Sequence, residues 1–358
     1  MVYCYRHAFC GNIAVLNLMK IAVGFSGGVD SSVAVELLRR EGHEVIAVQF
    51  DQLGEGANDS VEAAAKKLGV PFEILTLKEE FEAQVKTPFI EKLKEGKTPN
   101  PCILCNPAFK FGLFFDSLQE KFGVERIATG HYCRSLDGQL MMPKDHEQDQ
   151  TYFLSNLSKA QLEKIVFPLG EWTKEEVRKF ADEIGLPNAK KKSSTDVCFL
   201  KGGRFEKFVA KHVSQSSGDM IEKETSLVVG QHNGLAQYTA GQRKNLGIGG
   251  IKDRPEMPWF VVGKDFPKNE LIVSQFLKDL DCLSLTSNNF NWISGVAPAE
   301  NFECEAKIRF RGKALPCRVR ANGEKVSVEF TEPVQAVVAG QQVVLYDGEL
   351  CLGGGEIA

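Results

Sequence analysis

Short apolar runs alternate with amphipathic stretches along the first half of the chain. Mainly apolar runs at residues 21–25, 43–50, 72–77 and 125–129 predict buried strands. Amphipathic stretches at residues 33–40, 59–68, 79–94 and 105–122 have apolar side chains at helical spacing. Strands that alternate with helices in this way predict a parallel, doubly wound α/β sheet.

The pattern changes after residue 212. Residues 213–218 are polar and predict the exit from the first domain, and from residue 227 the apolar period shifts towards two. Short strands joined by Asn322-Gly323 and Asp347-Gly348 turns predict a small antiparallel barrel at the end. We therefore predict an N-terminal extension (1–18), an α/β catalytic domain (19–212), a central β-rich domain (213–280) and a C-terminal β-barrel (281–358).

The 26–32 loop, Ser-Gly-Gly-Val-Asp-Ser-Ser, lies between the first predicted strand and the first predicted helix. The N–H groups of a helix's first turn, together with the helix dipole, favour an anion at such a loop. Glycines let the backbone approach a phosphate, and the hydroxyls of Ser31 and Ser32 add donors. No Gly-Lys-Ser/Thr follows, so the loop is not a Walker A loop. The alternative is a glycine-rich turn without a ligand.

Three predicted strands end in residues suited to a shared nucleotide site. Ser26, Phe50 and Gly130 all fall at carboxyl ends of strands, which is where ligands of parallel sheets bind. Phe50 is expected either to cover an adenine ring or to belong to the core.

The overall composition is that of an ordinary globular protein, with 25% charged and 43% hydrophobic residues and a formal net charge of −4. No apolar stretch is long enough for a bilayer span, so we expect no membrane partner. A nucleic-acid partner would have to bind local basic patches. The ten cysteines lack the framework of a small secreted domain, which favours a reducing cytoplasm and a few reactive thiols.

Two cysteines lie in sequences that favour a thiolate. Cys105 follows a proline-rich loop at the expected start of a helix, where the dipole would lower the pKa of a thiol. Cys198 follows three lysines at residues 190–192. Either cysteine alone is more often structural than catalytic.

The 26–32 loop resembles the Ser-Gly-Gly-x-Asp-Ser loop of the ATP pyrophosphatase (PP-loop) superfamily, whose members cut ATP between its α and β phosphates. From residue 19 onward the chain resembles the bacterial-type tRNA-specific 2-thiouridylases. The matching segments are, in order, 26–32, 98–106, 128–132, 149–154, 189–192 with 198–199, 241–250 and 346–355.

This resemblance implies an ATP-dependent reaction on the wobble uridine of tRNA. Bound ATP adenylates uridine O2, and sulfur then displaces AMP. By the same resemblance, Cys198 receives a persulfide from a sulfur-carrier protein, and Cys105 attacks it, releasing sulfide or leaving a disulfide bond. Mg²⁺ is expected on the leaving pyrophosphate, with Asp30 as a candidate ligand. The implied ATP-binding residues are Gly24, Phe25, Ser26, Gly27, Gly28, Val29, Asp30, Ser31, Phe50 and Gly130.

The resemblance also implies RNA contacts, because the target base must be flipped out of its stack to react. The residues implied around the base are Asn100, Pro101, Cys102 and His131, and those implied to contact tRNA elsewhere are Gln148, Asp149, Gln150, Arg309, Phe310 and Gln341. A strand through residues 307–313 would add a phosphate-binding stripe of Lys307, Arg309, Arg311 and Lys313 on one face. A solvated strand face is the alternative.

One departure from the family pattern leaves two mechanisms open. Cys102 stands where the family commonly has aspartate, which creates a Cys-x-x-Cys with Cys105. Together with Cys198, these thiols could hold a [4Fe–4S] cluster whose open iron carries sulfide, with inorganic sulfide as donor. The other route is the persulfide route through Cys105 and Cys198. A zinc site with His131 or His212 is a weaker third hypothesis.

Two other functions remain open from the sequence. A PP-loop amide or amidine ligase is one of them; it needs neither the two cysteine loops nor a basic β domain, so the presence of these features counts against it. A non-catalytic tRNA-binding protein is the other; it would not need the intact 26–32 loop, so this loop argues against it.

Overall fold

The computed structural model describes residues 18–56, 59–190, 197–200, 205–213, 216–249 and 257–358 of the chain. Most of the predicted N-terminal extension lies outside the described residues, as do Lys191, Lys192, residues 193–196 and Gly250. Within the described ranges, no helix has both the length and the apolar composition that crossing a bilayer requires.

The first half of the chain forms a parallel sheet. Its strands are β1 (Lys20–Gly24), β2 (Glu44–Asp51), β3 (Phe72–Thr76), β4 (Arg126–Ala128) and β7 (Ile165–Val166), and a separate hairpin of β5 (Arg134–Leu136) and β6 (Gln139–Met141) lies between β4 and β7 in the chain. The sheet order is β3-β2-β1-β4-β7, with every pairing parallel. Ile21, Ala22 and Val23 of β1 are fully buried, as expected for a strand covered on both faces. The predicted α/β class is confirmed.

Helices cover both faces of this sheet. The described α-helices are α1 (Val29–Arg40), α2 (Asp59–Leu68), α3 (Lys78–Phe81), α4 (Thr87–Lys94), α5 (Pro101–Leu104), α6 (Phe114–Phe122), α7 (Thr151–Leu154), α8 (Lys159–Leu162), α9 (Lys174–Glu183) and α10 (Phe205–His212). Val33 of α1 and Val177 of α9 pack in one core, and Phe89 of α4 and Leu118 of α6 pack in the other. Wider π-helical turns at Glu82–Lys86 and Cys105–Leu113 join α3 to α4 and α5 to α6.

A smaller sheet follows in the chain. Its strands are β8 (Gly218–Glu222), β9 (Val228–His232), β10 (Phe260–Asp265) and β11 (Glu270–Ser274), in the order β10-β11-β8-β9. The β11–β8 pair is parallel and the other pairs are antiparallel. Met220, Trp259, Val261 and Leu271 belong to its own hydrophobic core.

The last part of the chain is a closed antiparallel barrel. Its strands are β12 (Asp281–Trp292), β13 (Asn301–Lys307), β14 (Leu315–Asn322), β15 (Lys325–Gln335), β16 (Gln342–Asp347) and β17 (Leu350–Ile357). They pair in the order β12-β15-β14-β13-β16-β17, and β17 pairs again with β12 to close the barrel. The predicted hairpins at Asn322-Gly323 and Asp347-Gly348 are confirmed.

A hairpin from the α/β part extends the barrel sheet. β5 pairs with β6, and β6 pairs with β17 through Leu140 and Cys351. The sequence pattern did not predict this hairpin. Each of its strands has three residues, too few to show an alternating pattern, and the partner strand lies about two hundred residues away.

The strand through residues 307–313 that the basic stripe would need does not form. β13 ends at Lys307, and the chain turns at Arg311, which has a φ of 62°. The turn directs the Phe310 ring inward, where its centroid lies 4.3 Å from that of Phe153. Because the strand ends at Lys307 and the half-buried Phe310 ring packs on Phe153, the four basic residues do not form a stripe on one strand face.

The side chain of Lys307 also points inward, to the junction between the barrel and the α/β part. Its Nζ lies 2.7 Å from Asp149 Oδ2 and 4.7 Å from the centroid of the Tyr346 ring. The exposed fractions of the two charged side chains are 14% for Lys307 and 5% for Asp149. Asp149 also accepts hydrogen bonds from the backbone and hydroxyl of Thr151. The junction thus contains a buried ion pair.

Replacing Lys307 by methionine is expected to lower the free energy of unfolding by about 3 kcal/mol, because it leaves the Asp149 carboxylate buried without its cation. Denaturant titration measures this change. The double variant Lys307→Met/Asp149→Asn should recover most of the loss, and Lys313→Met, at an exposed position, should have no effect. Equal losses in the single and double variants would contradict the assignment of the cost to the unpaired charge.

Candidate nucleotide and thiol site

The 26–32 loop is shaped by its own hydroxyl groups. Gly28 is the N-cap of α1, and its carbonyl accepts hydrogen bonds from Ser31 Oγ at 3.2 Å and Ser32 Oγ at 2.9 Å. Ser26 Oγ and Ser31 Oγ lie 3.2 Å apart. Because the hydroxyls hold the turn, the N–H groups at the start of α1 are directed to one side, where helix geometry favours an anion.

The end of β4 packs directly on this loop. A Cβ on Gly130 would lie 2.8 Å from Asp30 C and 2.8 Å from Ser31 N, closer than real Cβ atoms approach other atoms. A glycine is therefore required for the two backbones to touch. The loop follows β1, and β1 lies between β2 and β4, so the structure brings the predicted strand ends Ser26, Phe50 and Gly130 to neighbouring positions.

Side chains that the sequence pattern did not indicate pair with the Asp30 carboxylate and hold the backbone of the loop. Lys174 Nζ lies 2.5 and 2.7 Å from the two carboxylate oxygens of Asp30, and the Tyr132 hydroxyl donates to Asp30 Oδ1 at 2.9 Å. Buried Asn188 donates to Gly27 O at 2.9 Å. Lys174 follows the Thr173 cap of α9, so the Thr-x-x-Glu capping box could have located it.

Several residues of the predicted nucleotide site have buried side chains. Phe25 and Val29 are at most 6% exposed, so only their backbone, with that of Gly24, is available to a ligand. The half-buried Phe50 ring packs on Phe109, with 4.6 Å between ring centroids. It thereby belongs to the aromatic core, one of the two positions expected for it.

The thiol side of the site begins at Asn100, which caps α5. Its Oδ1 accepts the Cys102 N–H at 3.0 Å, and the helix begins at Pro101. The expectation that Cys105 lies at a helix N-terminus is therefore wrong, because Cys102 occupies the first turn and Cys105 begins the π-helical stretch. We call residues 101–113 the cysteine helix.

The pKa values of the three thiols are raised, which contradicts the thiolates expected from the helix dipole and the lysines 190–192. Burial raises the pKa of Cys105 to about 12, with smaller contributions from Cys198 and Cys102. Burial also raises the pKa of Cys102. Cys198 reaches solvent, but protein atoms around its sulfur still raise its pKa through desolvation.

Lys110 is the cation that faces these thiols, and the sequence reasoning did not identify it. Its charge lowers the pKa of all three cysteines against the effect of burial. Its Nζ donates to Asn106 Oδ1 at 3.0 Å, and Asn106 Nδ2 donates to Phe153 O at 2.8 Å. A lysine five residues after Cys105 comes back to the same side when the turn is π-helical, which the sequence does not reveal.

His131 connects the two halves of the site. It follows Gly130, and its ring nitrogen Nδ1 lies 2.6 Å from Thr129 Oγ1. Its ring packs on Phe111 of the cysteine helix, with 6.1 Å between centroids. Burial, reinforced by the charge of Lys110, holds the pKa of His131 well below its usual range, so the imidazole is neutral.

The remaining residues predicted to contact RNA occupy different environments. Arg309 is exposed and Gln148 is half-buried. Gln150 Oε1 accepts the Tyr132 N–H at 2.9 Å, and Gln341 Nε2 donates to Thr98 O at 2.6 Å. With the buried Asp149 and the packed Phe310, several of these side chains are engaged inside the protein.

The three thiols do not form a preassembled metal site. In the described part of the chain, no group of three or more His, Cys, Asp or Glu side chains is placed to hold a metal ion. The thiols of Cys102 and Cys198 each add to the raised pKa of Cys105, after burial as the main cause.

A phosphate-binding loop of this sequence, without a Walker lysine, at the carboxyl end of the first strand of a parallel sheet defines a PP-loop nucleotide-binding protein. Family models extend the match along the chain. The tRNA methyl transferase HUP domain matches residues 19–202, the tRNA methyl transferase PRC-barrel domain residues 206–275, and the aminomethyltransferase beta-barrel domain residues 283–357.

Curated relatives match over almost the full length. The tRNA-specific 2-thiouridylase MnmA of Burkholderia multivorans is 43% identical over 355 residues, covering 94% of this chain and 93% of the relative. The tRNA-specific 2-thiouridylase MnmA of Francisella philomiragia is 41% identical over 360 residues, covering 94% and 99%. The chain belongs to the tRNA-specific 2-thiouridylase family.

Replacing Lys110 by methionine is expected to slow alkylation of Cys105 by iodoacetamide roughly three- to tenfold at pH 8, because loss of the cation raises the pKa of the thiol further and lowers the thiolate fraction. Mass spectrometry of the Cys105 peptide over a range of pH measures the shift. Lys121→Met, at an exposed position on α6, is the matched control. An unchanged pH profile in Lys110→Met would show that its charge does not reach the sulfur.

Proposed function

We propose that this chain is an ATP-dependent tRNA 2-thiouridylase that acts on the wobble uridine. The observation that carries the proposal is the pair Gly130-His131. Gly130 touches the nucleotide loop, and His131 packs on the cysteine helix. Two consecutive residues thus join an anion-binding loop to a set of thiols. A reaction that first activates an oxygen with ATP and then replaces it with sulfur needs both of these sites side by side.

The first step is the adenylation of uridine. Uridine O2 attacks the α-phosphorus of ATP, the bond to the β-phosphate oxygen breaks, and pyrophosphate leaves. The start of α1 favours the negative charge of the phosphates. Lys174 supplies a positive charge beside Asp30, which offsets repulsion between that carboxylate and the phosphates. Neutral His131 and Asn100 are suited to contact the uracil, whose edge offers both donors and acceptors.

The second step replaces the activated oxygen with sulfur. Cys198, the exposed thiol, exchanges with the persulfide of a sulfur-carrier protein and becomes a persulfide itself. The Cys105 thiolate then attacks the Cys198 sulfur, which forms a Cys105–Cys198 disulfide and releases hydrosulfide. Hydrosulfide adds to uridine C2, AMP leaves, and an external thiol reduces the disulfide. Lys110 favours the Cys105 thiolate in this step.

The alternative sulfur source is a [4Fe–4S] cluster on Cys102, Cys105 and Cys198. The persulfide route needs contact between two of these thiols, Cys105 and Cys198, whereas a cluster needs all three as ligands. For Mg²⁺, Asp30 has the right chemistry, but both of its oxygens contact Lys174. Mg²⁺ held through the phosphates of ATP would act there by stabilising the leaving pyrophosphate.

The RNA surface that we propose includes the exposed Arg309, with Gln148 and Gln150 near the end of β4. Asp149 and Phe310 act from beneath this surface, because Asp149 pairs with Lys307 and Phe310 packs on Phe153. We divide the chain into a catalytic domain at 19–212, a central domain at 213–280 and a barrel at 281–358; the order of the three sheets along the chain supports this division, with the β5–β6 hairpin reaching from the first domain to the barrel sheet. A tRNA substrate and thiol chemistry suit the cytoplasm.

Replacing Cys105 or Cys198 by serine is expected to reduce formation of 2-thiouridine by about a thousandfold or more, because neither serine can exchange with a persulfide. Release of pyrophosphate with tRNA and ATP should continue, since adenylation does not use the thiols. Chromatography of digested tRNA and a pyrophosphate assay measure the two steps separately.

Cys282→Ser is the control, since Cys282 lies in β12, away from these residues. If the unmodified protein produces no tRNA-dependent pyrophosphate, the proposed function fails. A product that is an amide rather than a thiolated base would indicate the ligase alternative instead.

Iron and acid-labile sulfide, assayed on protein purified without oxygen, should fall far below one cluster per chain if the persulfide route holds. Cys102→Asp should then keep its thiolation activity in air. A cluster near full occupancy that is lost in Cys102→Asp together with activity would overturn the persulfide route.

A further inference from the structure

Residues 96–98 link α4 to the cysteine helix, and the two later sheets both contact them. This 96–98 segment stands directly before Pro99 and Asn100, and Asn100 caps the cysteine helix, which begins at Pro101. It carries no proposed catalytic residue.

The backbone and side chain of Thr98 bond to both later parts of the chain. Its N–H donates to Ala339 O at 3.0 Å, and its carbonyl accepts from Gln341 Nε2 at 2.6 Å, both in the barrel part. Its hydroxyl lies 3.3 Å from the hydroxyl of Thr239, which precedes β10 in the central part. Three polar atoms of one residue are thus bonded from two directions.

Gly96 has a similarly close contact with β10 and the turn that follows it. Lys264 Nζ donates to Gly96 O at 3.2 Å. A Cβ on Gly96 would lie 1.8 Å from the Phe266 ring, and the residue has a φ of 80°, so the close approach requires glycine. Burial lowers the pKa of Lys264 to about 8, because the charged ammonium group loses part of its hydration at this position.

The connection from the 96–98 segment to the thiols is stiff. Pro99 and Pro101 have fixed φ angles, and the residue before each of them is held to extended conformations. Asn100 is extended, with φ −106° and ψ 111°, and its side chain bonds the Cys102 N–H. A displacement of Thr98 therefore moves the first turn of the cysteine helix with it.

Interface packing alone does not account for these contacts. The barrel is already joined to the α/β part by the Lys307–Asp149 pair, by the bond from the Tyr152 hydroxyl to Gln342 O, and by β6 pairing with β17. The contacts with the 96–98 segment are instead made to backbone atoms beside the cysteines, and they come from both later sheets.

We propose that Thr239, Lys264 and Gln341 are positioning residues: they fix Gly96 and Thr98, and through Pro99 they set the position of Cys102 and Cys105. The cysteine helix then reaches its reactive position only when the central sheet and the barrel are both docked. The catalytic consequence rests on the proposed function, whereas the positioning itself does not.

Hydrogen–deuterium exchange on the full chain, without tRNA or ATP, tests the positioning. In Thr239→Val and Lys264→Met, amides of residues 97–105 should exchange about tenfold faster, because local opening costs less. Peptides of α1 should be unchanged. Thr239→Ser and Lys264→Arg keep the donor groups and should restore slow exchange. Lys268→Met, 67% exposed on the turn after β10, is the matched control.

Steady-state kinetics adds a second measurement for the same variants and for Gln341→Glu. Here kcat for thiolation should fall about tenfold while KM for ATP and for tRNA stays the same, since misplaced reacting groups slow the chemical step.

Unchanged exchange at residues 97–105 would overturn the proposal. A raised KM for tRNA with unchanged kcat in Gln341→Glu would overturn it for Gln341 and make that residue an RNA contact. If the unmodified protein does not thiolate tRNA, the proposed function fails, and exchange still decides the positioning.

Discussion

Gly130 lies directly against the backbone of the nucleotide loop, where even a methyl group would overlap Asp30 and Ser31. This contact sets the distance between β4 and α1 at the carboxyl edge of the sheet. Because His131 follows at once and packs on Phe111, the same contact also sets the cysteine helix relative to the loop. The nucleotide loop and the cysteine helix are thereby held at one spacing, by backbone packing at Gly130 and by ring packing at His131.

Partly buried lysines lie at three contacts between separate parts of the structure. Lys174 joins α9 to the nucleotide loop, Lys307 joins the barrel to Asp149, and Lys264 joins the central sheet to the 96–98 segment. Removing such charges from water is unfavourable unless the partner is in place. Alternative arrangements of the parts would leave these ammonium groups without their carboxylate or carbonyl partners, so the lysines favour one arrangement even where they add little stability.

The sequence predicted the parallel sheet, the nucleotide loop and the barrel hairpins because each depends on local pattern or turn chemistry. It missed the β5–β6 hairpin and the inward turn of Phe310, since both depend on partners far away in the chain. It also expected thiolates from a helix terminus and nearby lysines, whereas desolvation dominates at Cys105. Burial is set by the whole fold, so the raised pKa of Cys105 could not be predicted from its sequence neighbours. The position of Lys110 depends on the π-helical turn, which the sequence pattern does not show either.

The pairing of β6 with β17 bears on the order in which the protein folds. These strands lie about two hundred residues apart, and a contact of such separation forms late because closing the loop costs entropy. The α/β sheet, built largely from nearer neighbours, can form earlier. The contacts between the barrel and Thr98 form only when the barrel docks, so a chain that has folded only its α/β part lacks them. Incomplete chains would thus contain a nucleotide loop while their cysteine helix is still unanchored.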